Sequence, residues 1–598
     1  MRGLGPLGAG DGSSGPGSAR PSRYPEPKMT LRLFFTIAAL FLKGTCAFGA
    51  QGRAPAVVAA GLVPAVGSPM LGVGSELGGV QAPLLALPLP PLIAPAQVAA
   101  PRSLANDLTH HELRVDPNAH AEVVSSFYTF RDYMDAMLHH PRWGYYTSGR
   151  VSIGEDSDFN TYPILASPHF GNAAVEQAFR MWQGMIKAGT LGPEETFDVA
   201  EFGGGEGTLA HDFLDHAQKR SVQDERWAAF TQRLRYTIHE RSPALRERQT
   251  QKNAGFGEVF RSVPADARAP LMSLPEGAMK GLVLSNELPD AFGVHKVILG
   301  TDGSAEAAFV VPRLPPELLQ SLRQSPGGAE IHDQLQAIGQ EVSRRFGFDG
   351  LADHEGSLFL DRGAFETLLN FLSGLSPEAY ADMARQLQFH EVYVPAVRIP
   401  ALAAHLGRNI ADYAAGLATS AKPWLGYINV DADRYIEESG RALKAGYVVT
   451  LDYGNNLLKI MHEFASQRLR TYSKALKGGY DPYAAPTFID MTTDVNFTAL
   501  AEAGRTAGLR TLHFGVQGDM AEPVKPQILA AVATLPALDK QRRNAESFLY
   551  GSPEYKVLVQ QKDGTDPSFR FADASAEVVS PLRRAAEIQE NLQKHLAR

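Results

Sequence analysis

Cysteine is nearly absent from this chain, which has Cys46 alone among its 598 residues. A single cysteine excludes a disulfide within the chain, and no group of Cys and His residues has the spacing of a zinc site. The adjacent pairs His110-His111 and His139-His140 are interpreted as solvated positions at helix ends rather than as ligands. We therefore expect no metal.

Runs of Lys and Arg are also missing, and the net charge is −8. Because a protein that follows a phosphate backbone needs clustered positive charge, DNA and RNA are disfavoured as partners. The chain does contain 44% apolar and 20% charged residues. This composition predicts one large globular body with a buried core.

The sequence also lacks an apolar run long enough to form a stable membrane span. The stretch at residues 33–42 is only ten residues long, too short for a bilayer. It follows Arg32 and precedes small residues suited to cleavage before Ala50, which is typical of a secretory signal over residues 29–49. A mitochondrial presequence and a fortuitous apolar stretch are the alternatives.

The most informative motif is an apolar strand that runs into Glu201 and then into Gly203, Gly205 and Gly207, at the start of an amphipathic helix. Glycines at this spacing let the backbone pass close to a ligand at the carboxyl end of a strand. Glu201 would repel a pyrophosphate but would attract a cationic amino-acid group. S-adenosylmethionine carries such a group.

A second apolar strand, residues 234–240, ends in Glu240, and Ser242 follows as a plausible N-cap of the next helix. An acid at this place accepts both ribose hydroxyls in nucleoside-binding α/β folds. The alternative is an ordinary solvated Glu at a strand end.

A third apolar strand delivers Asn286, Glu287 and Asp290 to the same sheet edge, where substrates bind in such folds. The alternative for these side chains is capping of the following helix. A fourth strand ends in Asp452 and Tyr453, which we expect near the same cleft. The repeated pattern predicts an α/β fold with a Rossmann-like sheet.

The ordered motifs resemble the MidA-like class I methyltransferases over about residues 123–562. That family has a mitochondrial member that methylates an arginine of a complex I subunit. The resemblance rests on Trp143-Gly-Tyr-Tyr146, Asp158-Phe159, the Glu201 to Gly207 loop, Glu240-Arg-Ser-Pro, Asn286-Glu-Leu-Pro-Asp290 and Leu451-Asp-Tyr-Gly454.

The resemblance implies an S-adenosyl-L-methionine-dependent enzyme that acts on a protein, with arginine as the methyl acceptor. Paired carboxylates would hold a guanidinium by charge-assisted hydrogen bonds. The candidate cofactor-binding residues are Glu201, Gly203, Gly205, Gly207 and Glu240. The candidates for positioning the acceptor are Glu287, Asp290, Asn286 and Asp158, the last by its match to the Asp-Phe motif of the family.

Three departures from the family pattern lie near the expected pockets. Ser157 stands where the family usually has Gly, residues 162–171 are expanded, and Glu206 stands where many members have Arg or Asn. These departures concern the acceptor more than the cofactor. Two alternatives therefore stay open. The protein could methylate a small molecule or another side chain, or it could be a non-catalytic assembly protein that keeps the fold.

The sequence predicts one discontinuous catalytic domain with appendages. The predicted segments are a disordered stretch (1–28), the signal (29–49), a low-complexity linker (50–104), a helical and aromatic segment (105–195), the first part of the Rossmann-like domain (196–312), a mainly helical insertion or lid (313–445), the second part of that domain (446–562) and a helical tail (563–598).

The compartment is open, because two inferences conflict. The signal-like segment favours export to the cell envelope or medium, whereas S-adenosylmethionine is made and kept inside cells. A mitochondrial or cytoplasmic location would remove the conflict, but the Pro-rich, Arg-poor sequence after residue 60 is a poor amphipathic presequence.

Overall fold

The structure is a computed structural model, and it describes residues 112–572 apart from 152, 155–156, 352–354, 419–421, 463–468, 474–480 and 552. The predictions for residues 1–28, 29–49 and 50–104 lie outside the described residues, as does most of the predicted tail at 563–598.

Sixteen strands occur in the described part of the chain. They are β1 Tyr128–Thr129, β2 Phe197–Phe202, β3 Leu234–Glu240, β4 Phe260–Pro264, β5 Met279–Asn286, β6 His295–Leu299, β7 Ala305–Leu314, β8 Leu358–Phe359, β9 Gln388–Pro395, β10 Trp424–Ile428, β11 Leu443–Asn455, β12 Arg470–Tyr472, β13 Asp490–Thr492, β14 Val495–Asn496, β15 Leu509–Val516 and β16 Tyr555–Lys562.

The same residues contain eighteen α-helices. They are α1 His120–Ser126, α2 Phe130–His139, α3 Tyr162–Leu165, α4 His169–Ala188, α5 Thr208–Ser221, α6 Glu225–Arg233, α7 Pro243–Lys252, α8 Pro316–Gln324, α9 Gly328–Phe346, α10 Arg362–Leu372, α11 Pro377–Ala384, α12 Pro400–Arg408, α13 Ile410–Ala418, α14 Val430–Ala442, α15 Leu457–His462, α16 Phe497–Thr506, α17 Lys525–Val532 and α18 Lys540–Tyr550.

The larger sheet has the strand order β15-β16-β11-β5-β2-β3-β4, with β14 added beside β11. From β11 to β4 neighbouring strands are parallel, whereas β16 runs antiparallel to both β11 and β15. The chain runs outward from β2 to β4 and then returns on the other side of β2 as β5. Since ligands of such sheets bind at the carboxyl ends beside this reversal, the topology places a site next to β2 and β5. The predicted Rossmann-like α/β sheet is confirmed.

Helices cover both faces of this sheet, which explains why its strands are nearly continuous apolar runs. One face packs against α4, α5 and α6 around Phe170, Phe213 and Trp227. The other face packs against α14 and α16 around Tyr435 and Phe497. This double burial fixes the strand ends that carry the polar residues of the site.

A second, six-stranded antiparallel sheet is built around β7, which pairs with β1, β6, β8 and β9, while β10 pairs with β6. Strands β6 and β7 lie within or at the end of the predicted segment 196–312, so the observed inserted sheet begins before residue 313. The predicted helical insertion, 313–445, contains α8 to α14 but also strands β8, β9 and β10. Within the described ranges, we find no helix long and apolar enough to cross a membrane.

Candidate active site

A cleft opens at the carboxyl ends of β2 to β5 and contains about 1080 Å³ of empty space, part of it open to solvent. The loops after these four strands form one part of its wall, and residues between 139 and 164 form the rest. Of the predicted site residues, six line this cleft: Glu201, Gly203, Gly205, Glu240, Asn286 and Glu287.

The glycine loop joins β2 to α5 with left-handed backbone at Gly203, Gly205 and Gly207, whose φ values are 71°, 51° and 76°. A Cβ on Gly203 would lie 2.6 Å from Cδ1 of Leu288, so a side chain there would have to displace that of Leu288 in the cleft wall. Gly207 does not line the cleft. It forms the N-cap of α5, where a Cβ would lie 3.2 Å from Cα of Gln249, so its role is close packing of α5 against α7.

Glu201 ends β2 with a buried carboxylate, which accepts a 2.8 Å hydrogen bond from the hydroxyl of Tyr236 through Oε2. Burial raises the pKa of Glu201 to about 7, against the opposing effect of this hydrogen bond. A cation in the cleft would offset the desolvation and favour the ionised form. The residue can therefore bind a cationic group of a ligand.

Glu240 ends β3, and its carboxylate is held on both oxygens. Oε1 accepts a 2.7 Å hydrogen bond from the backbone amide of Ser242, and Oε2 accepts a 3.4 Å bond from Nε2 of Gln249. The same Nε2 donates to the carbonyl of Gly205 at 2.9 Å. Gln249, which sequence reasoning missed, therefore ties the acid of β3 to the glycine loop.

Asn286 ends β5, and Glu287 follows it in a strained conformation. Glu287 has a φ of 48°, although it is not glycine. Its Oε1 accepts hydrogen bonds from Nδ2 of Asn286 at 3.2 Å and from the backbone amide of Tyr162 at 3.3 Å. Burial, followed by the charge of Asp290, raises the pKa of Glu287 to about 8. The cleft thus has a carboxyl group that a bound cation would ionise.

Asp290 and Asp158 do not line the cleft. The backbone amide of Asp290 donates to Oδ2 of Asp452 at 3.2 Å, and neither Asn286 nor Asp290 caps a helix with its side chain. Asp158 accepts a 3.0 Å hydrogen bond from the hydroxyl of Tyr145. The sequence brings Asp290 close to Glu287, but behind the wall of the cleft.

Glu287, Asp290, Asp452 and Asp490 form what we name the acid cluster, in which the last three are 4% exposed or less. Burial raises the pKa of Asp290 to about 6 and that of Asp490 to about 7. It also raises the pKa of Asp452, with further contributions from Asp290 and Glu287. Because several carboxylates share one buried region, the cluster favours a positive ligand over a neutral one.

Other cleft residues were not among the predicted site residues, although Tyr146 belongs to the Trp143-Gly-Tyr-Tyr146 motif. His139 and Tyr146 line the cleft although they are distant in sequence from the sheet, and His139 is half-buried rather than solvated as the sequence suggested. After β4, Asp266 and Arg268 also line it, and Arg268 binds Asp266 through Nε at 3.0 Å and Nη2 at 2.6 Å. A polar residue just after a strand end was the available signal for Asp266.

These residues fit S-adenosyl-L-methionine. At Gly205 a Cβ would meet only Ile153, at 3.8 Å, so a ligand can approach the backbone there, and Glu240 presents a fixed carboxylate suited to ribose hydroxyls. Oδ1 of Asn286 is buried and accepts no hydrogen bond from the described residues, so it is available to a ligand donor.

Comparisons with known proteins agree with this assignment. A family model for S-adenosyl-L-methionine-dependent methyltransferases matches residues 174–515, more than half of the chain. The chain is also 27% identical over 266 residues to a Drosophila melanogaster protein named "Protein arginine methyltransferase NDUFAF7 homolog, mitochondrial". That match covers 37% of this chain and 56% of the relative, so the chain spans little more than half the length of the relative.

The chain also matches solved structures, among them that of a Burkholderia thailandensis protein bound to S-adenosyl-homocysteine. It is 20% identical, with a TM-score of 0.47, and the match covers 78% of this chain and 97% of that one. A native crystal structure from the same organism is 19% identical with a TM-score of 0.46, covering 79% and 98% of the two chains. On the family match, the chain belongs to the S-adenosyl-L-methionine-dependent methyltransferases.

Proposed function

We propose that this protein transfers a methyl group from S-adenosyl-L-methionine to the guanidinium of an arginine in a protein substrate. The observation that carries the proposal is the position of Glu287. This strained residue lines the same cleft as Gly203, Gly205 and Glu240, so an acid suited to an acceptor lies beside the residues suited to the cofactor.

Arginine is favoured over other acceptors because the region around Glu287 is acidic and buried. A guanidinium would compensate the desolvated carboxylates of the acid cluster and could form paired hydrogen bonds with one of them. The printed name of the Drosophila melanogaster relative and the MidA-like motifs support the same acceptor. With a neutral small molecule, the raised pKa of Glu287 would keep its carboxyl group protonated, so no charge-assisted hydrogen bond would form.

The chain's own residues would then have distinct tasks. Bound S-adenosyl-L-methionine supplies a methyl group on a sulfonium, which is already a good leaving group. Glu240 would hold the ribose, and Glu287 would orient the acceptor nitrogen and take up the proton that this nitrogen loses. The hydrogen bonds from Asn286 and Tyr162 to Oε1 leave Oε2 of Glu287 for that proton.

The proposal is tested first by calorimetric titration of the full chain with S-adenosyl-L-methionine and with S-adenosyl-homocysteine. Glu240→Ala should abolish binding, whereas Glu258→Ala, at an exposed position, should bind as the wild type does. An unchanged dissociation constant in Glu240→Ala would contradict the assigned pocket.

Transfer is tested with a peptide library containing arginine or lysine, radiolabelled S-adenosyl-L-methionine and mass spectrometry of the products. Methylarginine is the expected product. A label on lysine or on a small molecule from an extract would favour the alternative acceptors. Cofactor binding with no transfer to any acceptor would favour a non-catalytic assembly role.

A further inference from the structure

Tyr146 lines the same cleft as Glu287 and is held there by hydrogen bonds to both its side chain and its backbone. Its hydroxyl donates to Oδ1 of Asp490 at 2.7 Å, and its carbonyl accepts from Oγ of Ser242 at 2.9 Å. The side chain is only half-buried. Tyr146 therefore presents a fixed, partly accessible aromatic ring at the wall of the cleft.

His139 supports this ring from one side. The two rings are stacked, with centroids 5.3 Å apart and planes 15° from parallel. Burial lowers the pKa of His139 to about 4, so the imidazole is neutral at physiological pH. The support therefore adds no positive charge that would oppose a cationic ligand.

The ring also lies in the field of the acid cluster. The charges of Asp490 and Asp290 both act on the Tyr146 hydroxyl and, with burial as the largest cause, raise its pKa. Negative charge beside an aromatic face favours a cation placed over that face. A planar guanidinium can stack on a ring and still donate hydrogen bonds from its edge to a carboxylate, whereas a compact ammonium cannot do both equally well.

The chain uses the same combination once nearby. The guanidinium carbon of Arg470 lies 4.8 Å from the ring centroid of Tyr453, and the Arg470 side chain pairs with Asp494. Ring and carboxylate together thus hold an arginine of the protein itself, beside Asp290.

We propose that Tyr146 determines the acceptor specificity: its ring stacks on the acceptor guanidinium while Glu287 binds the edge of the same group. This inference rests on the proposed function, because it assigns a residue to the acceptor side of that reaction. It adds a reason for discrimination between arginine and lysine, which carry the same charge.

The test uses the full chain saturated with S-adenosyl-homocysteine and two probes, acetyl-arginine amide and acetyl-lysine amide. We expect the wild type to bind the arginine probe about tenfold more tightly, and Tyr146→Leu to lose that preference without a change in S-adenosyl-homocysteine affinity. Tyr145→Leu is the matched control. Tyr145 neighbours Tyr146 and also bonds a carboxylate, that of Asp158, but does not line the cleft.

A second measurement keeps the proposal testable if Tyr146→Leu fails to fold. In protein protonated only at tyrosine, a nuclear Overhauser effect from a tyrosine ring to the Cδ protons of the arginine probe is expected. The effect should disappear in Tyr146→Phe, because phenylalanine rings carry no protons in this protein, and it should persist in Tyr145→Phe. Persistence in Tyr146→Phe would overturn the proposal.

The remaining outcomes separate this inference from the proposed function. Arginine preference that survives in Tyr146→Leu, or that Tyr145→Leu loses equally, would overturn the role of Tyr146 and leave the arginine acceptor in place. Equal binding of both probes by the wild type would likewise overturn the role of Tyr146 without contradicting the arginine acceptor. A wild type that binds S-adenosyl-homocysteine but neither probe would contradict the arginine acceptor, and the role of Tyr146 with it.

Discussion

The backbone amide of Tyr162 donates a 3.3 Å hydrogen bond to Oε1 of Glu287, which joins the first residue of α3 to the strained residue after β5. A glutamate held in left-handed backbone costs the fold energy that a glycine would not. The surrounding contacts maintain this conformation. We therefore infer that Glu287 is needed for the orientation of its carboxyl group in the cleft and not for the stability of the turn.

Glu287→Gln should separate orientation from charge. The amide keeps the size of the side chain and can accept the same hydrogen bonds, but it cannot ionise or take up a proton. We expect S-adenosyl-homocysteine affinity to stay within about twofold, and methyl transfer to fall by about 100-fold or more, as for loss of a general base. Single-turnover assays with a labelled cofactor measure this. A variant with wild-type transfer would remove Glu287 from the chemistry.

Much of this site could be predicted from the sequence because its residues end strands. Glu201, Glu240 and Glu287 each follow an apolar run, and a parallel sheet brings the carboxyl ends of its strands to one edge. Local sequence therefore determines both their secondary structure and their shared location. The positive φ at the glycine loop follows in the same way from residue type.

The rest depends on tertiary packing, which has no local signature. His139 reaches the cleft from the end of α2, and Tyr146 reaches it from the aromatic motif in the turn that follows. The motif does not reveal the partner of Tyr146, since its hydrogen bond to Asp490 spans 344 positions. Asp290 follows Glu287 closely, yet the turn at Pro289–Ala291 places it behind the cleft wall. An apolar strand pattern likewise cannot say which sheet β6 and β7 join.

The protein without ligands should become less stable as the pH rises from about 6.5 to 8. At lower pH, buried histidines such as His139, whose pKa is lowered to about 4, act in the opposite direction. Burial raises the pKa of Glu287 from 4.5 to about 8, so the folded state binds this proton more tightly than the unfolded chain does. In that window the folded state holds more protons, and stability therefore decreases with increasing pH. Asp490, with a pKa raised to about 7, acts in the same direction.

Thermal unfolding at several pH values checks this trend. The melting temperature of the wild type should fall between pH 6.5 and pH 8, and Glu287→Gln should show a smaller fall because one titrating group is gone. Glu258→Gln, at an exposed position, serves as the control and should follow the wild type. A wild-type melting temperature that rises across this window would contradict the burial of these acids.

Gly203→Ala should weaken cofactor binding, and a variant with similar backbone strain away from the cleft should not. The φ of 71° disfavours alanine, and the new Cβ would lie 2.6 Å from Cδ1 of Leu288 in the cleft wall. Gly189→Ala is a matched control, because Gly189 has a φ of 74° with no atom within 4 Å of the added Cβ. We expect a stability loss of about 1 kcal/mol in both variants, and lost S-adenosyl-homocysteine affinity in Gly203→Ala alone, by calorimetry. Equal affinities would argue against close approach of the ligand to the loop.

Arg248 joins the segment around Gly149 to Glu206 of the glycine loop. Nη1 of Arg248 pairs with Oε1 of Glu206 at 2.8 Å, and Nη2 donates to the carbonyl of Gly149 at 3.4 Å. Arg248→Leu should therefore speed dissociation of S-adenosyl-homocysteine about fivefold, since a partly exposed pair contributes up to about 1 kcal/mol. Stopped-flow fluorescence measures the rate.

Glu206→Gln should speed the dissociation to a similar degree if the ion pair is responsible, and the double variant should add little to either single change. Arg226→Leu, which removes an exposed pair with Asp224 away from the cleft, should leave the rate unchanged. Additive effects of Arg248→Leu and Glu206→Gln would show that the two residues act separately. In that case the bonds from Arg248 to the backbone at Gly149, rather than its pairing with Glu206, would hold the segment in place.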